Sequence, residues 1–178
     1  ILKPTDSKQY TDTVGLDCRF AAEWMRNTGL FVGEKIGGQE FFHPEKAVSR
    51  GEFLAMVVQA LDIPLQDDTA VQLPADAPQW LRPYLAAALR SGLTAGWPDT
   101  ETGSFMADSP ITGAEAAVIL QNALDLTATT AALEAEAQED VPTWAAASLT
   151  VLAENGLALS ANDPMTRADV AETLYQVS

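Results

Sequence analysis

Three times along the chain, apolar residues recur at helical spacing directly after a hydroxyl residue that is followed three positions later by a carboxylate. After Ser49-Arg50-Gly51-Glu52 come Phe53, Met56, Val57, Ala60 and Leu61. After Thr112-Gly113-Ala114-Glu115 come Ala116, Ile119, Leu120, Ala123 and Leu124, and after Thr166-Arg167-Ala168-Asp169 come Val170, Thr173, Leu174 and Val177. The i, i+3, i+4, i+7, i+8 spacing predicts an amphipathic helix with one buried face in each place. The hydroxyl and carboxylate ahead of each stripe form a capping box, in which the hydroxyl accepts from a first-turn amide and the carboxylate reaches back to the cap amide. Each cap stabilises its helix by about 1 kcal/mol. The first two helices also close alike, as Ala60-Leu61-Asp62-Ile63 and Ala123-Leu124-Asp125-Leu126.

The likeness continues upstream. Gly29 and Gly92 each precede their cap by 20 residues, Gly33 and Gly96 follow four later, and Phe42 and Phe105 stand seven before the hydroxyl. Trp80 and Trp144 each open a stretch that ends twelve residues on at Gly92 and Gly156, and each closes an Asp-x-Pro-x-Trp sequence. Between Trp and Gly, Leu85, Ala88 and Leu89, and again Leu149 and Leu152, predict a helix stopped by a C-terminal glycine. Pro83 delays the start of the first of these helices, between Trp80 and Gly92. The expected architecture is mainly α: three helix, Gly-rich loop, capped-helix segments at about 10–63, 74–126 and 138–178. The third is short, with ten residues between Gly156 and Thr166, so its loop is largely deleted. Polar connectors span 64–74 and 126–138, the second leading into a short helix. One apolar stripe per helix cannot be buried alone, so the segments must pack on one another.

Composition removes several function classes. The 178 residues carry a formal charge of −15, with ten scattered Lys and Arg, which excludes phosphate neutralisation on nucleic acid and attraction to an anionic membrane surface. No apolar run approaches the roughly 18 residues of a membrane span. The N-terminus, Ile1-Leu2-Lys3-Pro4-Thr5-Asp6, lacks a secretion-signal pattern and an initiator Met, so a processed or trimmed fragment is expected. Cys18 is the one cysteine, which rules out an intrachain disulfide and reads as a small buried hydrophobe. His43 reads as a loop residue, and Glu134, Glu136, Glu139 and Asp140 as a solvated stretch without calcium-loop spacing. No phosphate loop, nucleophile elbow or metal-binding His pair appears, so neither catalysis nor a cofactor or metal is expected.

Val48-Ser49-Arg50-Gly51-Glu52, Ile111-Thr112-Gly113-Ala114-Glu115 and Met165-Thr166-Arg167-Ala168-Asp169 resemble the Ile-Thr-Arg-Ala-Glu motif of the S-layer homology domain, a family of three tandem repeats. Asp76/Trp80 and Asp140/Trp144 are similar to its opening, and Gly29-Leu30-Phe31-Val32-Gly33 with Phe42-His43-Pro44 to its glycine turn and Phe-x-Pro. The resemblance, from about Tyr10 to Ser178, implies a pseudo-threefold arrangement around a central helix bundle. It further implies grooves that bind secondary cell-wall polysaccharide or a peptidoglycan-linked glycan, often through a pyruvate ketal, and so a non-enzymatic anchor on the bacterial cell surface. Carried over to this chain, the anion contacts are Arg50 and Arg167, with Ser49 and Thr166 beside them. A planar, always-charged guanidinium suits a ketal carboxylate, and a helix N-terminus would add free amides. Trp80, Trp97 and Trp144 are the candidate sugar-stacking faces; Trp80 and Trp144 read rather as packing groups, and Trp97, in a Gly-Trp-Pro-Asp turn, as exposed. Gly113 replaces the motif arginine in the second segment, and the first lacks the Trp, having Leu16 or Asp17 there. The alternative is a divergent scaffold for protein–protein contact or self-association without glycan binding.

Overall fold

The computed structural model describes residues 9–65, 71–98, 103–134 and 140–178, and these are mainly helical. In order come α1 (Arg19–Asn27), β1 (Glu34–Ile36), β2 (Gln39–Phe41), α2 (Arg50–Ala60), α3 (Arg82–Arg90), α4 (Gly113–Ala123), α5 (Thr130–Leu133), α6 (Ala146–Glu154) and α7 (Arg167–Val177). The chain divides into two compact units, Ile1–Lys46 with Thr166–Ser178, and Ala47–Met165. No helix among the described residues is long and apolar enough to cross a membrane.

The helix starts follow the capping chemistry. Ser49, Thr112 and Thr166 hold extended backbone and accept from the amides of Glu52, Glu115 and Asp169. The carboxylates of Glu115 and Asp169 return to the cap amides at 3.1 and 3.0 Å, while α2 has the hydroxyl half of the box. The next orphan amides are met from elsewhere in the sequence. Arg50 and Gly51 donate to the carbonyls of Ser109 and Ala107, and Gly113 and Ala114 to those of Asp163 and Ala161. Arg167 and Ala168 donate to Lys46 and Pro44. In each case the acceptors lie three and five residues before a different cap.

Immediately before the caps, in the second unit, Val48, Ile111 and Met165 close a ring of backbone bonds. Ile111 donates to Val48 at 2.9 Å, Val48 to Met165 at 3.0 Å, and Met165 to Ile111 at 2.9 Å. All three side chains are buried.

Helix ends are equally regular. Gly29, Gly92 and Gly156 adopt left-handed backbone after α1, α3 and α6, and the next residue donates back to Met25, Ala88 and Leu152. That 6→1 bond defines a Schellman stop and uses a conformation glycine enters without a Cβ penalty. Pro83 sits in the first turn of α3, where its missing N–H has no helical partner to lose. Asp62 and Asp125 close α2 and α4 in the same left-handed conformation despite their side chains.

Helix pairing does not follow the helix–loop–helix segments. In the second unit α3 packs on α2, α6 packs on α4 and on the short α5, and α2 touches α4. In the first unit α1 packs on α7. The single buried stripe expected of α2 and α4 is too narrow. Phe53 to Val58 and Gly113 to Leu120 are buried on every side, whereas α7 keeps an exposed face at Glu172, Tyr175 and Gln176. A short hairpin, β1 paired antiparallel with β2 through Gly37-Gly38, was not expected. Both glycines have positive φ, which suits a tight two-residue turn, but three-residue strands leave no alternation to read.

The shortened third loop explains Gly113. A Cβ on this residue would stand 1.9 Å from the Ser160 carbonyl oxygen. Gly113→Ala is therefore expected to destabilise the chain by about 1–3 kcal/mol through overpacking. Equilibrium chemical denaturation of the parent and variant measures this, and an unchanged midpoint would contradict the close approach.

Candidate functional site

The two motif arginines occupy similar surroundings built from different residues. Arg50, first residue of α2, pairs through NH2 with Glu115, and its NH1 donates to the Phe105 carbonyl at 3.3 Å. Its guanidinium lies over the Trp97 ring at 5.5 Å. Arg167, first residue of α7, donates through NH1 to the Phe42 carbonyl at 2.8 Å and lies over the Phe31 ring at 4.7 Å. Its NH2 is 3.7 Å from Glu34. The Arg50 side chain is 22% exposed and that of Arg167 9%, so both are largely committed to internal partners.

A carboxylate fixes each of the loops those arginines grip. Asp12 accepts the amides of Phe42 and His43, both at 2.8 Å. Asp76 accepts those of Phe105 and Met106 at 2.9 and 2.8 Å. His43 and Met106 sit at positive φ, a conformation unfavourable for side-chain-bearing residues and held here by those bonds. The two amides hold the Asp76 carboxyl below its usual value. In the third segment the Asp140 carbonyl accepts from the Asn162 side chain.

Several expectations need correcting. The helix N-termini offer no free pair of amides: the first two go to carbonyls and the third to the cap hydroxyl. Ser49 and Thr166 are thus occupied as caps. Trp80, expected as a packing group, is 50% exposed. Trp97, expected to be exposed, is half-buried, because its indole N–H donates to the Glu115 carbonyl at 3.1 Å and its ring stacks on Phe105 at 6.0 Å. Trp144 is half-buried against Ala114, Val118 and Ala145, in keeping with packing. Cys18 is buried as expected, and burial pushes its thiol up. Glu136 and Glu139 lie outside the described residues; Glu134 and Asp140 are exposed.

On one side of the α7 start, a pocket of about 430 Å³ is lined by Leu16, Cys18, Thr166 and Ala168 and rimmed by Asp17, Glu45 and Glu172. Partial desolvation raises the Glu172 carboxyl, and Asp17 and Asp169 raise it further. Such a rim repels an anionic sugar. On the other side, His43 and Lys46 approach Glu34 at 2.9 and 3.8 Å. His43, read as a plain loop residue, thus stands with Lys46 and Arg167 around Glu34, a grouping that spacing along the chain did not reveal.

Among the described residues no cluster of His, Cys, Asp and Glu could hold a metal ion. The starts of α2 and α7 bring together guanidinium, ammonium and aromatic groups.

Residues 73–117 match the S-layer homology domain. The match takes in the Asp76 clamp, α3, Trp97, and the capped start of α4. The chain is also similar to the "Surface-layer 125 kDa protein" of Lysinibacillus sphaericus, with 28% identity over 162 residues. That similarity covers 85% of this chain and 13% of the relative's length.

Asp76 supplies a pH test within the matched segment. A carboxyl depressed in the folded state adds stability above its unfolded value near about 3.9, and loses it as pH falls through the folded value. Asp76→Asn is expected to lower stability at neutral pH and to flatten the stability curve below about pH 4. Denaturation midpoints at pH 7 and pH 3 measure this; solvent screening of the exposed carboxylate keeps the effect small.

Proposed function

We propose that the chain is a non-enzymatic anchor of the bacterial cell surface, holding its parent protein to a cell-wall glycan without a covalent bond. The match of residues 73–117 to the S-layer homology domain carries this reading. The similarity to a surface-layer protein supports the same location outside the cell. In this reading 10–63, 74–126 and 138–178 are three repeats in a pseudo-threefold arrangement. The corresponding amide contacts of α2, α4 and α7 and the ring through Val48, Ile111 and Met165 support it.

The ligand is a secondary cell-wall polysaccharide, bound through an acidic substituent such as a pyruvate ketal. Arg50 and Arg167 are its candidate anion contacts, Arg167 the more available because Glu34 beside it is half-exposed whereas Glu115 beside Arg50 is buried in the α4 cap. Ser49 and Thr166 position them as caps, and exposed Trp80 is the best placed of Trp80, Trp97 and Trp144 to stack on a sugar. The second repeat contributes no arginine, and the backbone of Ser160 fills the space where one would leave Gly113. Fewer grooves then engage one polymer, and anchoring depends on several weak contacts acting together.

Co-sedimentation with purified cell-wall sacculi, before and after mild acid removal of pyruvate, tests this. Retention of the parent is expected, with a loss of about tenfold or more after depyruvylation or in the Arg50→Ala/Arg167→Ala variant, since a charge-assisted bond contributes about 1.5–3 kcal/mol. Thermal melting of the variant separates lost binding from lost folding. Equal sedimentation of a folded double variant would remove the arginines from the ligand site.

A second reading, self-association, is favoured by exposed Val14, Leu16, Phe20 and Tyr175 in the first unit. Sedimentation velocity distinguishes it: concentration-dependent dimers abolished by Phe20→Ser with no wall binding support this reading, and a monomer sinks it.

A further inference from the structure

The two arginines differ in how easily their carboxylate partners leave. Glu115, beside Arg50, is buried and also caps α4 through the Thr112 amide, so displacing it would cost a helix its start. Glu34, beside Arg167, is 49% exposed and closes no cap. Three basic groups converge on its carboxylate: His43 Nε2 at 2.9 Å from Oε2, and Lys46 Nζ and Arg167 NH2 at 3.8 and 3.7 Å from Oε1. Glu45, between His43 and Lys46 in the chain, is exposed and lines the neighbouring pocket, while two further acids are already committed. Asp12 binds the Phe42 and His43 amides, and Glu40 pairs with Arg26 at 2.6 Å. Removing the Glu34 carboxylate would therefore leave a cationic seat on a chain of net charge −15.

The seat is fixed while its occupant is not. Asp12 holds the His43 backbone, the Phe42 carbonyl and the Phe31 ring hold the Arg167 guanidinium, and the Tyr10 hydroxyl accepts the Gly33 amide at 2.9 Å. Glu34 follows Gly33 on β1 and reaches the seat with a flexible side chain, so rotation about its χ angles vacates it without opening the hairpin.

We propose that His43, Lys46 and Arg167 form a carboxylate-binding seat, and that Glu34 is a built-in competitor which an acidic sugar must displace. The inference rests on the anchoring reading above and adds to it two ligand residues and a restraint on affinity. Glu34 and Lys46 are exposed and pair weakly, and Arg167 stands 3.7 Å off, so the seat is vacated part of the time and apparent affinity is reduced by the occupied fraction. The restraint also adds selectivity: a neutral sugar gains nothing from displacing Glu34, whereas a carboxylate replaces what it removes.

Calorimetric titration of the full chain with the methyl glycoside of a 4,6-pyruvate-ketal hexose tests this, alongside sedimentation with sacculi. Glu34→Gln is expected to bind the probe about three- to tenfold more tightly, Glu34→Asp to fall between it and the parent, and Lys46→Ala to weaken binding several-fold. All should keep the parent melting temperature within a few degrees. Parent-like or weaker binding by folded Glu34→Gln overturns the competitor while leaving anchoring intact. Sacculi bound by the parent with no affinity for the ketal probe overturn the seat alone. If neither probe nor sacculi are retained by the parent or by Glu34→Gln, the anchoring reading itself fails.

Discussion

The arrangement depends on where the first amides of three helices find their acceptors. A helix start leaves four N–H groups without intrahelical partners, and burying them unpaired is costly. Here a cap hydroxyl takes one, and carbonyls just upstream of a different cap take two more. Each capped helix therefore starts only where another cap's approach is already in place. The bonds joining Val48, Ile111 and Met165 apply the same rule one step earlier in the chain. Because backbone groups make these contacts, side chains at the same positions can diverge as far as Ser49, Thr112 and Thr166 or Arg50, Gly113 and Arg167 without loss of register.

That constraint settles what the arginines can do. Standing first in α2 and α7, they are delivered beside the loop carbonyls of Phe105 and Phe42 and over an aromatic face. Their planar forks satisfy a carbonyl and a carboxylate together, which a lysine ammonium would do less well. Each of these arginines thus helps to hold the loop beside it. Their partner carboxylates differ: one is locked into a cap at Glu115, the other rides on a surface hairpin at Glu34.

Helix positions were largely legible in the sequence because local chemistry sets them: hydroxyl-to-carboxylate boxes at the starts, glycines at Gly29, Gly92 and Gly156 at the ends, and Pro83 in a first turn. Partners were not legible. That α3 packs on α2 rather than α4 is a long-range fact with no signature in either stripe. Nor did spacing show that Glu34, His43 and Lys46 meet Arg167, since a two-glycine turn and a fold spanning most of the chain bring them together. The burial of Trp97 was hidden for a related reason. A Gly-Trp-Pro turn looks solvent-facing along the chain, but Trp97 is drawn inward by a carbonyl 18 residues away.

The backbone bonds in the second unit also limit how that unit can be divided. Cutting out the matched stretch alone would strand it, because α4 obtains its acceptors from Asp163 and Ala161 and α3 rests on a helix outside that stretch. The backbone groups of Val48, Ile111 and Met165 that meet in the ring already saturate one another. Change in this part of the chain must therefore spare the backbone bonds even where a side chain is dispensed with, as at Gly113.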